Sequence, residues 1–318
     1  MKERKRLGKY FALLLVIAII AILPASCFAM SKKDGSIRSG VLTYLGTTES
    51  EFQAALDDLR KAVAPLIPTD EERDSWEHED RLEGFISSLV QTRREVSFFD
   101  SLLAMQMALR SRKLDEIVLP ECTGLYLINS NSNYDVLFSL NLMPSSISFG
   151  FRRNDTALKK EFDGAIAAMK KDGTLSRLES QYISEAGSEP VPVKFQDFKG
   201  AQVIKVAVTG DLPPIDFIAS DGTPAGYNTA ILSEIGKRLK KNVRLISVDA
   251  GGRSAALASK RADVVFWYRN SGDLKLPAKA NKVNSKAMRN VMKDNLDGVI
   301  LSSPYYEWDT DLIIGRSN

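Results

Sequence analysis

From Val203 onward, short apolar runs alternate with amphipathic stripes, and that alternation confines the chain to layered α/β architectures. Val203-Ile-Lys-Val-Ala-Val208 reads as a strand, and the Pro213-Pro214 pair after it as a turn. Then come an apolar-striped helix over 228–240, a strand over 242–248, a helix over 253–260 and a strand over 262–268. Strands alternating with helices call for a parallel or mixed sheet covered by helices. The preceding half is less regular. A short strand is expected over 41–45, and Thr47-Thr-Glu-Ser-Glu51 opens a helix with threonine caps and first-turn acids. Residues 97–111 read as a helix and 114–119 as a strand too apolar for the surface. A polar loop is expected over 129–135 and a strand over 146–152. Two helices over 155–183 are broken at Asp172-Gly173. With 318 residues, the chain has room for two lobes, each with its own core.

The first nine residues carry five basic side chains and one acidic, ahead of the thirteen-residue apolar run Phe11–Leu23. That is the three-part pattern of a secretory leader, and thirteen residues is short for a bilayer span. Leu-Pro-Ala-Ser-Cys27 approximates a lipoprotein box, which would make Cys27 the lipidated first residue. Cleavage after Ala29, giving a soluble secreted chain, is one alternative, and an uncleaved anchor extending through Met30 is another. Lipidation at Cys27 would leave Cys122 alone, so no disulfide could form within the chain. The formal charge of +3 also belongs to the leader: without it the remainder is near −1. No basic field remains that would recruit nucleic acid.

The order of the segments is informative. Val203–Phe217, then Ser220-Asp-Gly-Thr-Pro-Ala-Gly-Tyr227 and Ala262-Asp-Val-Val-Phe266, resemble the first lobe of the family 3 solute-binding proteins, the amino-acid receptors of ABC importers. Gly40–Glu49, Phe99–Ala104, Leu114–Val118, Ile147–Asn154 and Met169–Leu178 resemble the second lobe of that family and its return into the first. Each piece occurs once, in swapped order. The resemblance implies a two-lobed α/β periplasmic binding protein-like fold (type II), circularly permuted. It assigns 1–29 to the signal peptide and 30–145 to the second lobe with a helical insertion over 55–95. Residues 146–186 then return into the first lobe, 187–202 form a linker and 203–318 complete the first lobe. The apolar Leu312-Ile-Ile314 run is expected beside Ile147–Phe151, leaving one covalent crossing between the lobes near 145–153. The implied function is extracytoplasmic capture of a small polar solute for an ABC transporter permease, at the outer face of the cytoplasmic membrane, with a lipid anchor. A sensory or accessory module of the same fold is the rival reading, and an enzyme of the dehydratase type a weaker one.

The candidate ligand contacts follow from the resemblance. Gly46, Thr47 and Thr48 lie at a strand-to-helix junction, where free N–H groups favour an anion. Plain helix capping would leave the same residues there. Asp211 and Leu212 sit in the loop after the first strand, where the family places a stacking aromatic; Leu212 is a departure. Trp267 and Tyr268, at the end of strand 262–268, can supply rings instead, since ligands bind at strand C-termini in open α/β sheets. Packing in the lobe core is the alternative. Arg269 substitutes by proximity for the arginine that forks onto the ligand carboxylate. The ammonium-binding aspartate would fall at Pro120, with Glu121 adjacent. No catalytic, metal or cofactor constellation stands out: the single histidine, His78, lies in a charged stretch without metal spacing. Neither a phosphate loop nor a nucleophile elbow is present.

Overall fold

The computed structural model describes residues 36–42, 54, 57, 61, 93–140, 145–187, 191–219, 221–249, 252–270, 298–308 and 310–317. Among the described residues the named elements are, in order, β1 (Ser36–Leu42), β2 (Arg93–Phe99), α1 (Leu102–Arg110), β3 (Glu116–Pro120), α2 (Glu121–Ser130) and β4 (Tyr134–Leu140). The order continues through β5 (Ser145–Arg152), α3 (Thr156–Lys171), α4 (Thr174–Glu179), a π turn (Ser180–Ser184) and β6 (Val203–Val208). Next are β7 (Asp211–Leu212), β8 (Asp216–Ile218), β9 (Pro224–Ala225), α5 (Tyr227–Leu239), β10 (Asn242–Ser247), α6 (Gly252–Ala258) and β11 (Val264–Asn270). The last are β12 (Val299–Leu301), β13 (Tyr306–Trp308) and β14 (Asp311–Arg316).

These elements form two lobes, one nested inside the other along the chain. The outer lobe is a sheet in the order β2-β1-β3-β14-β4, with β1 parallel to β2 and β3 and β14 antiparallel to both neighbours. The inner lobe, residues 145–308, is a sheet in the order β10-β6-β11-β5-β12, with β13 also on β5. Here β6 runs parallel to β10 and β11, and β5 antiparallel to β11, β12 and β13. A small sheet, β7-β8-β9, stands at the C-terminal end of β6.

Side-chain volume decides how helices seat. In the outer lobe α1 lies on Gly40: a Cβ there would meet Leu114 at 2.5 Å and Met105 at 3.0 Å. Likewise α2 lies on β14, where a Cβ on Gly124 would meet Leu312 at 2.9 Å and Ile314 at 3.0 Å. Ser101 caps α1, its hydroxyl accepting from the Ala104 N–H at 3.1 Å. In the inner lobe Phe162 of α3 meets Phe149 and Phe151 edge-on, at 5.0 and 5.1 Å between ring centroids. On the opposite face α6 packs over Ala207 and Val265. Helices on both faces bury these strands, so Val264-Val-Phe-Trp267 of β11 reads as an apolar run, while β5 alternates Ile147, Phe149 and Phe151 with small residues that are equally buried.

Three sequence expectations are corrected. The tail does not pair beside Ile147–Phe151 as one run: β13 does so, with Tyr306 opposite Ile147, while Leu312–Ile314 cross back into the outer sheet between β3 and β4. The first lobe therefore does not extend to 318, and the chain crosses between lobes twice, between β4 and β5 and between β13 and β14. Apolarity alone could not choose between the sheets, because β3 and β5 are both buried strands. Second, residues 93–99 are a strand, not the end of a helical insertion or the start of a helix, and α1 begins at Leu102. Alternation of Val96 and Phe98 with charged and small residues is the period-2 signal that the longer helical stripe obscured. Third, the stretch after residue 190 is not a free linker: Val193 is buried and donates to Pro224 O at 2.9 Å, and Ser233 Oγ donates to Lys194 O at 2.7 Å. The first strand also starts earlier than expected, at Ser36, and residues 43–53 lie outside the described residues.

Candidate functional site

The strands that flank the two crossings are paired with one another. Leu140 pairs with Asp311 on the outer side, and Ser145 pairs with Trp308 on the inner side. The β4–β14 pair of the outer sheet and the β5–β13 pair of the inner sheet are the two ends of the ribbon between the lobes. The α2 helix is strapped to this ribbon, since the Glu121 N–H donates to Thr310 O at 3.1 Å. One residue on, the buried Cys122 thiol hydrogen-bonds the Tyr306 hydroxyl. Burial pushes this thiol up to about 11, so it stays protonated at neutral pH. Tyr306 in turn stacks on Trp308, with ring centroids 5.8 Å apart. The Trp308 indole N–H is buried there without a hydrogen-bond partner among the described residues.

The inner lobe presents the loop from β6 through β7 to β8. Asp216 organises it: its buried carboxylate accepts from the Thr209 N–H at 3.1 Å and the Thr209 hydroxyl at 2.9 Å. Burial raises the Asp216 carboxyl above its ordinary value despite the bonds that favour its charged form. Gly210, at φ +72°, makes the turn; a Cβ there would lie 2.8 Å from Ile218. The N-terminus of α5 is plugged by this loop, because the Tyr227 and Asn228 N–H groups donate to Pro214 O and Ile215 O, each at 2.9 Å. No anion can use those two donors.

Of the expected contacts, Asp211 and Leu212 lie on β7 at the cleft, with Asp211 half-buried and Leu212 fully buried. Asp211 pairs with Phe217 across the hairpin, and Phe217 meets Tyr126 of α2 edge-on at 6.1 Å, inclined 62°. Glu121, exposed, begins that same helix. Asp211, Leu212 and Glu121 therefore come to the two sides of one interlobe face. Trp267 is half-buried and packs with Ala207, Ala256, Leu257, Ala262 and Val265 inside the inner lobe, on the face covered by α6. Tyr268 and Arg269 continue β11 opposite Ile147 and Ser146, and their side chains lie outside the described residues. Gly46, Thr47, Thr48 and Cys27 also lie outside them. Sequence reasoning missed Tyr126, Phe217, Tyr306 and Trp308. The aromatic run Tyr305-Tyr306-Glu307-Trp308 was a visible signal for the last two.

Comparison with known proteins gives a bounded match. Residues 204–268 match the family of bacterial extracellular solute-binding proteins, family 3. No curated protein matches the sequence. Among solved structures, a ligand-binding component of an ABC-type import system from Staphylococcus aureus, with zinc bound, is 10% identical with a TM-score of 0.41. The alignment covers 88% of this chain and 66% of that one, so the chain spans just under two thirds of that protein. PhnD1 from Prochlorococcus marinus, in complex with methylphosphonate, is 7% identical with a TM-score of 0.38, covering 89% and 76%. NikA from Staphylococcus aureus, in complex with Ni(L-His)2, is 13% identical with a TM-score of 0.38, covering 73% and 60%.

Proposed function

We propose that the chain, whose residues 204–268 match the bacterial extracellular solute-binding proteins, family 3, is a circularly permuted binding protein. It captures a small polar solute outside the cytoplasmic membrane and presents it to an ABC importer. The observation that carries the reading is the nesting of the lobes. The matched segment lies in the inner lobe, completed by β5 from upstream, and a two-stranded ribbon joins it to a second lobe whose described strands flank it in sequence on both sides. Two lobes on a ribbon hinge suit capture by closure, which asks for no covalent chemistry.

In this reading the solute lies between Asp211–Leu212 of the inner lobe and the start of α2 at Glu121, with Thr47–Thr48 as the second lobe's anion-favouring contact. Tyr268 and Arg269 would approach from the end of β11, whereas Trp267 packs beneath α6. Lipidation at Cys27 would tether the outer lobe, since the leader runs into β1. A thermal-shift screen of amino acids, polyamines, oligopeptides and organic acids tests the function. A solute at a hundred times its Kd stabilises by about 2.7 kcal/mol. A chain whose melting responds to none of them at millimolar concentration overturns the reading. The rival, a sensory or accessory module, is favoured by one observation: Pro120 stands where the family's ammonium-binding carboxylate would be. Melting unaffected by solutes together with retention of a membrane partner would select it.

A further inference from the structure

The buried cores of the two lobes are not separate. One apolar cluster runs without a break from Leu42 and Leu119 in the outer lobe, through Cys122, Tyr126, Leu212 and Tyr306, to Phe149 and Ile231 in the inner lobe. The joint lies across the cleft. There α1 packs against β7, Leu212 has no exposed surface, and Tyr126 meets Phe217 edge-on at 6.1 Å. The α2 helix that carries Tyr126 is fixed at its start to the ribbon by the Glu121–Thr310 and Cys122–Tyr306 hydrogen bonds. Tyr126 lies five residues further along, about 7.5 Å from that pivot. Rotation of the lobes about the ribbon must therefore pull the Tyr126 ring from the Phe217 ring and expose Leu212.

We propose that Tyr126 and Phe217, with Leu212 seated against α1, form a clasp through which the chain's own side chains hold the lobes shut, so that the free protein rests closed. A solute must then compete with an intramolecular aromatic contact, and entry is limited by release of the clasp. The clasp belongs to the two lobes themselves. It depends on the binding reading only for that last consequence.

Cys122 supplies a native probe, because it is buried at the joint and only two cysteines occur in the sequence. The experiment uses the secreted chain with Cys27→Ser and follows maleimide modification of Cys122 under native conditions, alongside the radius of gyration from solution scattering. Phe217→Ala should raise the modification rate about 2- to 10-fold, the range an edge-to-face pair supports, and should enlarge the radius. Tyr126→Ala should do the same, and the double variant should add little, because the pair is lost once. Phe162→Leu loosens the inner-lobe core away from the cleft and should leave both readouts unchanged. Unaltered rates and radii in Phe217→Ala and Tyr126→Ala overturn the clasp. So does an equal rise in Phe162→Leu, which would mean general loosening and not opening. A solute screen without hits would leave these rates as they are, so the clasp and the transport reading fall separately.

Discussion

Ile314 tests where the end of the chain belongs. It has no exposed surface, stands on β14 opposite Ile117 of β3 and Val136 of β4, and its Cδ1 lies 3.0 Å from where a Cβ on Gly124 would project. Contacts that close leave the neighbours little room to collapse into a cavity. Ile314→Ala should therefore fall in the upper part of the usual range, about 3–5 kcal/mol. Urea unfolding followed by tyrosine and tryptophan fluorescence reads this as a lower midpoint at unchanged slope. Deletion of residues 310–318 is the sharper form. It removes the strand between β3 and β4, and β4 has no other strand partner among the described residues. The outer lobe should then lose its cooperative transition. If the tail were only an edge strand beside β5, the point variant would cost below about 1 kcal/mol and the deletion would be tolerated. Either result would refute the placement.

Two further outcomes follow from the outer lobe. Arg94 Nε donates to Glu116 Oε1 at 2.8 Å with both side chains buried, the Ser39 hydroxyl donates to the same oxygen, and both terminal nitrogens of Arg94 lack partners among the described residues. Arg94→Met should cost about 3–5 kcal/mol by stranding the carboxylate, and Arg94→Met with Glu116→Leu should recover most of it in a double-mutant cycle. Burial works to raise the Asp115 carboxyl, but hydrogen bonds and charge from Arg38 outweigh it and hold the group below its ordinary value. Its stabilisation is complete above the unfolded value near 4 and fades as pH falls through the lower folded value. Arg38→Met should flatten the melting temperature over that acid window and leave its slope near pH 7 alone.

The inner lobe was legible because its signals are local. Val203–Val208 fell where the alternating pattern put it, and Asp172-Gly173 breaks the helix pair with Gly173 at φ +79°. Such features depend on periodicity and on backbone conformations open to glycine. What the sequence withheld was long-range choice. Leu312–Ile314 are equally apolar against either sheet, and what selects the outer one is the slot between β3 and β4 floored by Gly124. Trp267 shows the same limit within a strand. Its position near the C-terminal end of β11 suggested a ligand platform, yet strand parity directs the ring to the face where Gly150 leaves space and α6 covers it. The cleft contact between Tyr126 and Phe217 joins residues 91 positions apart in sequence, and no motif links them.

The geometry of the two ends makes the permutation itself testable. Gly315 pairs with Glu116, and Glu116 also pairs with Ser39 of β1, so the end of β14 and the start of β1 lie at one end of the same sheet, two strands apart. The corner is pinned: Arg316 donates to Leu109 O and Leu114 O at 2.6 and 3.0 Å, and the Asp115 N–H donates to Arg38 O at 2.9 Å. Two strand spacings are about 10 Å, and the three residues from Ser36 to Ser39 add about 10 Å more. A Gly/Ser linker of about eight residues can join 317 to 36 without strain. New ends placed between 187 and 191 would spare the packing of Val193 and the bond from Ser233 to Lys194 O. The resulting chain, 191–317 then 36–187, would follow the order of the family 3 proteins. It should fold cooperatively and melt within a few degrees of the natural order, because it keeps every described strand pairing and both crossings of the ribbon. Any solute that stabilises one chain should stabilise the other equally. A reordered chain that aggregates, while the same linker insertion at residue 317 in the natural order does not, would mean that the lobes are not the two halves of a permuted binding protein.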